Sequence, residues 1–146
     1  GEEVFNYQDR IEENGYETNS ILWKIENSLE KHPQTMVCMT LDDYAKSRSI
    51  KGSYGLWIDV EGANKHILIG GIQTLRDTTS IHIEIETEPI WEGQWVESDV
   101  SEFLARYGFI QLGYQKQGEF QKDAIYVKED LLSERIVHCL SEFAIS

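Results

Sequence analysis

The sequence predicts an α/β fold, a mostly parallel sheet that ends in an antiparallel hairpin. Three observations predict it. Short β-rich apolar runs alternate with stretches of helical periodicity from Met36 onward, the pattern of a parallel sheet with crossover helices. The run "LWIDV", starting at Leu56, is apolar on both faces ahead of its acids, which suits an interior parallel strand. Finally, "FIQLGYQKQ" and "DAIYVKE" are strand-like runs joined by a short loop around Gly118, the signature of a hairpin.

Each element has its own signal. The polar stretch from Glu2 to Asn19 is punctuated by "ENG" and reads as turn-rich. "NSILWKIENSLEKH" carries Ile21, Leu22, Ile25 and Leu29 at helical spacing and stops at Pro33. "QTMVCMT" is a strand, and "LDDYAKSRS" a short helix with Leu41, Tyr44 and Ala45 on one face. After "LWIDV", the stretch "GANKHILIGGIQTLRD" repeats Ile67, Leu68, Ile72 and Leu75 as one helix. Gly70 and Gly71 in its middle imply close packing against the sheet, because glycine costs about 1 kcal/mol relative to alanine there.

"SIHIEIETE" alternates strictly, with Ile81, Ile83 and Ile85 on one face and His82, Glu84 and Glu86 on the other. "DVSEFLARYG" is a helix capped by Ser98 or Asp99, with Val100, Phe103 and Leu104 as its stripe and Gly108 as its C′ residue. "DLLSERIVHCLSEF" closes the chain as an amphipathic helix.

Composition narrows the function. A net charge of −13 disfavours nucleic acid and acidic membrane surfaces as partners. No apolar run reaches membrane-spanning length and no secretion signal is visible, so a cytoplasmic location is expected. Cys38 and Cys139 lie in apolar contexts and read as buried free thiols, and the four histidines show no ligand spacing, so no metal site is assigned to them. The chain opens on Gly1 without an initiator Met, so an upstream start is expected.

The chemistry concentrates at "DVEG". Ligands of open α/β sheets bind outside the carboxyl ends of the strands, and Asp59 and Glu61 end one. If the chain stays extended through Val60, both acids point to one side before Gly62 turns it into the helix. Such a pair can grip a hydroxyl, an amine or a divalent cation, or accept a proton. It can equally cap the following helix. Glu84 is the acid positioned to lie beside Asp59 on a neighbouring strand, or else belongs to a solvated face. Trp91 and Trp95, in the loop "PIWEGQWVE", either form a substrate wall or cover the core.

Taken in order, Thr40, Leu41 and Asp42, then Asp59, Val60, Glu61 and Gly62, then Leu68 and Gly70, Glu84, Gly108 and Phe109, and Asp123 and Ala124 form a recognisable series. From Met36 to Glu129 the chain resembles the C-terminal half of the FkbM family of S-adenosylmethionine-dependent methyltransferases. Two departures stand out. Asn64 takes the place of a further family acid, and the family's Gly-rich cofactor loop has no counterpart before Met36.

The resemblance implies a partial Rossmann-like methyltransferase sheet, with residues 1–146 a single domain that forms the C-terminal part of a longer one. It implies methyl transfer from S-adenosylmethionine to a hydroxyl of a sugar or other small molecule. Asp59 and Glu61 would be catalytic, Asp59 would also contact the cofactor, and Glu84, Trp91 and Trp95 would meet the acceptor. By itself the chain is expected to bind cofactor weakly or not at all. Two alternatives stay open: a non-catalytic module that dimerises through an exposed sheet edge, and a divalent-metal hydrolase built on Asp59, Glu61 and Glu84.

Overall fold

The computed structural model describes residues 2–8 and 31–132, with side chains described from Val37 onward. Two sheets are present among the described residues. In the first, β1 (Glu2–Gln8) pairs antiparallel with β2 (Lys31–Val37). The strand expected in "QTMVCMT" is present but shifted three residues earlier, to Lys31–Val37; the polar segment before it supplies its partner, and the pair forms a sheet separate from the main one. The helix expected around Ile21 to Leu29 lies outside the described residues, as does the closing helix beyond Leu132. Among the described residues no helix is long and apolar enough to cross a membrane.

The main sheet has four strands: β3 (Tyr54–Ile58), β4 (Thr78–Glu86), β5 (Phe109–Lys116) and β6 (Gln121–Lys128). Their order is β3-β4-β6-β5. Only β3 and β4 are parallel; β4–β6 and β6–β5 are antiparallel. The expected mostly parallel sheet is thus a mixed one. The reason is where the hairpin docks. Its second strand, β6, adds to the edge of β4, so both new pairings are antiparallel.

The alternation of β4 survives as expected. Ile81, Ile83 and Ile85 are fully buried and form the core with Ile58, Leu68, Leu75, Val100, Leu104 and Tyr126. Helices α1 (Leu41–Ser47), α2 (Asn64–Ile69), α3 (Ile72–Asp77) and α4 (Glu97–Ala105) complete this part of the chain. α4 starts ahead of the expected Ser98 or Asp99, at Glu97, because the Asp99 carboxylate reaches back to accept from the Val96 N–H at 3.1 Å, one half of a capping box. The chain then turns into β5 at Gly108, whose φ is +76°.

The single helix expected from Gly62 to Asp77 is broken into α2 and α3 at the glycine pair. Gly70 and Gly71 pack against the start of α1 rather than against the sheet. A Cβ on Gly71 would lie 2.9 Å from Leu41 Cδ2, and one on Gly70 would lie 3.3 Å from Thr40 Cβ. Thr40 caps α1 by accepting from the Asp43 N–H at 3.0 Å. The Asp42 N–H then donates to the Gly70 carbonyl at 3.0 Å. Thr40, Leu41 and Asp42 are therefore the docking point for the α2–α3 break.

Candidate active site

The face of the sheet opposite the core is where the polar residues gather. Register brings Trp57 beside His82 and His82 beside Ile125, and Glu84 beside Asp123. Trp57 is 76% exposed and its ring lies 4.2 Å from that of His82. Towards the carboxyl end of β4 this face becomes acidic. A shallow cavity of about 360 Å³ borders it, with His82, Asp123 and Ile125 in its lining. A larger cavity, about 850 Å³, lies at the opposite end of the parallel strands, around Arg76, Asp77 and Glu129, away from these acids. The smaller one lies over β5 and β6 beside His82, and none of Asp59, Glu61 and Glu84 lines it.

β3 ends at Ile58, opposite Ile83, so Asp59 comes level with Glu84. The chain does not remain extended beyond it. Glu61 has φ +46° and Gly62 φ +81°, a left-handed turn. The turn nevertheless returns Glu61 to Asp59. One carboxylate oxygen from each of Asp59, Glu61 and Glu84 lies within 4.8 Å of the others. Asp59 is exposed, while Glu61 and Glu84 are half-buried. The N-cap of α2 is Ala63, which makes no side-chain capping bond.

Three acids this close cannot all ionise freely. Burial, and then the charges of Asp59, Glu61 and Asp123, push the Glu84 carboxyl up to about 7 against a hydrogen bond from Gln121. Burial, and then Glu84 and Glu61, also push Glu86 up to about 7. At neutral pH the cluster exchanges a proton readily, as a general base requires. The trio contains no histidine or cysteine, and exposed acids commonly lie together without an ion.

Glu86, Gln94 and Asn64 were not assigned to the site from the sequence. Glu86 was expected on the solvated face but is 1% exposed, held by Gln94 from the following loop. Asn64 is also 1% exposed and donates to the Glu84 carbonyl at 2.8 Å, bracing β4 behind the acid. Trp91 is 2% exposed with its ring against Gly62, so it presents almost no surface to a ligand. Trp95 is half-buried against Phe103, with the Lys65 ammonium 5.9 Å from its ring. Cys38 is half-buried rather than buried; Cys139 lies outside the described residues.

A family model for the methyltransferase FkbM domain matches residues 3–111. The chain belongs to the FkbM methyltransferase family. One curated relative, 2-O-methyltransferase NoeI of Sinorhizobium fredii, is 31% identical over 62 residues, 42% of this chain. The chain spans 26% of the length of that relative. No solved structure matches it. In this FkbM-family chain the match extends upstream of the first recognisable series, Thr40–Asp42, and takes in β1 and β2.

Proposed function

We propose that the protein transfers a methyl group from S-adenosylmethionine to a hydroxyl oxygen of a small molecule, a sugar being the favoured class. The observation that supports this most is the trio Asp59, Glu61 and Glu84 at the carboxyl end of the parallel pair, with the Glu84 carboxyl raised to about 7. Oxygen as the acceptor atom is supported by the name of the relative, a 2-O-methyltransferase.

When bound, S-adenosylmethionine supplies an electrophilic methyl on a sulfonium. The donor set of the trio fits such a group, because a sulfonium cation is favoured beside carboxylates. Asp59, the exposed member, is assigned to touch it and to orient the acceptor hydroxyl. Glu84 is assigned to accept the hydroxyl proton, and Glu61 to hold that proton within the trio. Alignment and proton removal are what the protein contributes to an in-line displacement. Trp95, half-buried against Phe103 in the loop after β4, is assigned to meet an acceptor ring.

The test uses the protein of the full reading frame, methyl-labelled S-adenosylmethionine and a panel of saccharides, with mass spectrometry of the products. Label on a hydroxyl oxygen, lost in Asp59→Asn, supports the reading. Label on nitrogen, or no cofactor binding by calorimetry together with no transfer, overturns it.

A second reading draws on the edge of β3, which pairs with β4 alone among the described strands. Unpaired edges invite association, and a homodimer through this edge would leave the trio beside the interface. A monomer at all concentrations in sedimentation equilibrium would exclude it.

A further inference from the structure

Gln94 is 8% exposed and its amide is hydrogen-bonded through both its oxygen and its nitrogen. Its Oε1 accepts from the Ile90 N–H at 2.8 Å and the Trp91 N–H at 2.9 Å. Its Nε2 donates to Glu86 Oε2 at 2.5 Å. Two backbone donors require the oxygen on their side, so the orientation of the amide is fixed. Gln94 thus ties the last residue of β4 to the backbone of the loop that carries Trp91.

Trp91 connects that loop to the site. A Cβ on Gly62 would lie 2.2 Å from Trp91 Cδ1, so the ring rests directly on the Gly62 backbone. Gly62 follows Glu61, whose φ of +46° is disfavoured for a non-glycine residue and persists only where the surroundings hold it. Glu61 reaches Asp59 and Glu84 through that turn.

We propose that Gln94 is a positioning residue for the carboxylate trio: by joining Glu86 to the Ile90–Trp91 backbone it seats the Trp91 ring on Gly62 and so fixes the turn that brings Glu61 to Asp59 and Glu84. The catalytic meaning of this rests on the methyl-transfer reading; the link between the loop and the trio does not. The charged groups facing Glu84 are Asp59, Glu61 and Asp123, with Glu86 farther along its own strand. Loss of the Glu61 contact therefore removes one of three negative neighbours.

The test exchanges donor and acceptor. Gln94→Glu sets a second carboxylate against Glu86, whereas Glu86→Gln/Gln94→Glu restores every hydrogen bond with the polarity reversed. The readouts are carbon-13 titration of the Glu84 carboxyl, made without cofactor, and kcat/KM in the full-frame protein. Gln94→Glu is expected to move the Glu84 midpoint down and to lower kcat/KM about tenfold near pH 8. The loss is expected to be smaller near pH 6, where the two carboxyls share a proton. The double variant is expected to restore both readouts. Should Gln94→Glu fail to fold, Trp91→Phe leaves the Gln94 bonds intact and is expected to move the Glu84 midpoint in the same direction. A wild-type Glu84 titration in either single variant, or no recovery in the double variant, overturns the proposal. Because the titration needs no cofactor, its outcome is independent of whether methyl transfer is found.

Discussion

Asp59 and Glu84 stand at the ends of neighbouring parallel strands with carboxylate oxygens no more than 4.8 Å apart. Their proximity has a thermodynamic consequence. Glu84 and Glu86 both titrate near 7 in the folded chain, against an ordinary value of 4.5. Between those values the folded chain holds protons that the unfolded chain has released. Stability therefore falls as pH rises from about 4.5 to about 7 and levels off above. Urea denaturation across this range is expected to show the decline, and Glu84→Gln to flatten it and raise stability at about pH 8.

The same acids carry the activity prediction. Glu84 must be ionised to accept a proton, so kcat/KM should rise with pH through about 7. Asp59→Asn should cut turnover by about 10²- to 10⁴-fold. It should leave stability within about 0.5 kcal/mol, since Asp59 is exposed and its loss relieves repulsion on Glu84. Turnover close to wild type in this variant, measured with any acceptor found active, would remove Asp59 from the mechanism.

Gly62 is required by two independent features, a φ of +81° and the Trp91 ring against its backbone. Gly62→Ala should therefore destabilise the fold by about 2–4 kcal/mol, from backbone strain together with the steric clash. Trp91→Ala should cost about 3–5 kcal/mol by leaving a cavity. The two residues touch, so their costs should not add. In the double variant the alanine methyl has room, and a summed loss in denaturant titrations would show that the Trp91 contact is not what constrains Gly62.

These relationships differ in how far the sequence revealed them. The alternation of Ile81, Ile83 and Ile85 with His82 and Glu84 is a local period-two signal, and the strand forms as that signal dictates. The meeting of Asp59 with Glu84 was also legible, because adjacent parallel strands bring their carboxyl ends level. The insertion of β6 between β4 and β5 was not, since either hairpin strand could have taken the edge of β4 on local grounds. Gly70 and Gly71 announced a close approach, but their partners, Thr40 and Leu41, are some thirty residues earlier, and no local pattern pairs them with the glycines. Glu86 continues the polar alternation of β4 and is buried only because the loop through Gln94 folds back over it. What escaped the sequence was tertiary contact between segments whose local patterns are unremarkable.

Asp42 illustrates this at a distance and carries the last prediction. It lies in the first turn of α1, yet its carboxylate serves α3. Oδ2 accepts from the Gln73 N–H at 2.9 Å, and Oδ1 accepts from the Thr74 N–H and the Thr74 hydroxyl, each at 2.8 Å. These are the donors that a helix leaves unsatisfied at its start, and Gly71, the N-cap of α3, has no side chain to serve them. Burial alone would raise the Asp42 carboxyl; the bonds from Gln73 and Thr74 outweigh it and hold it below its ordinary value of 3.8. Its contribution is thus present above that value and is lost as pH falls through the lower folded value. Asp42→Ala should cost about 1–2 kcal/mol at neutral pH, as the loss of a helix cap does. Asp42→Asn, which keeps one acceptor oxygen, should cost less. Amide hydrogen exchange at Gln73 and Thr74 should accelerate in Asp42→Ala while Ile83 and Ile85 in β4 stay protected. Acceleration spread evenly over α3 and β4 would mean that Asp42 supports the whole core rather than one helix start.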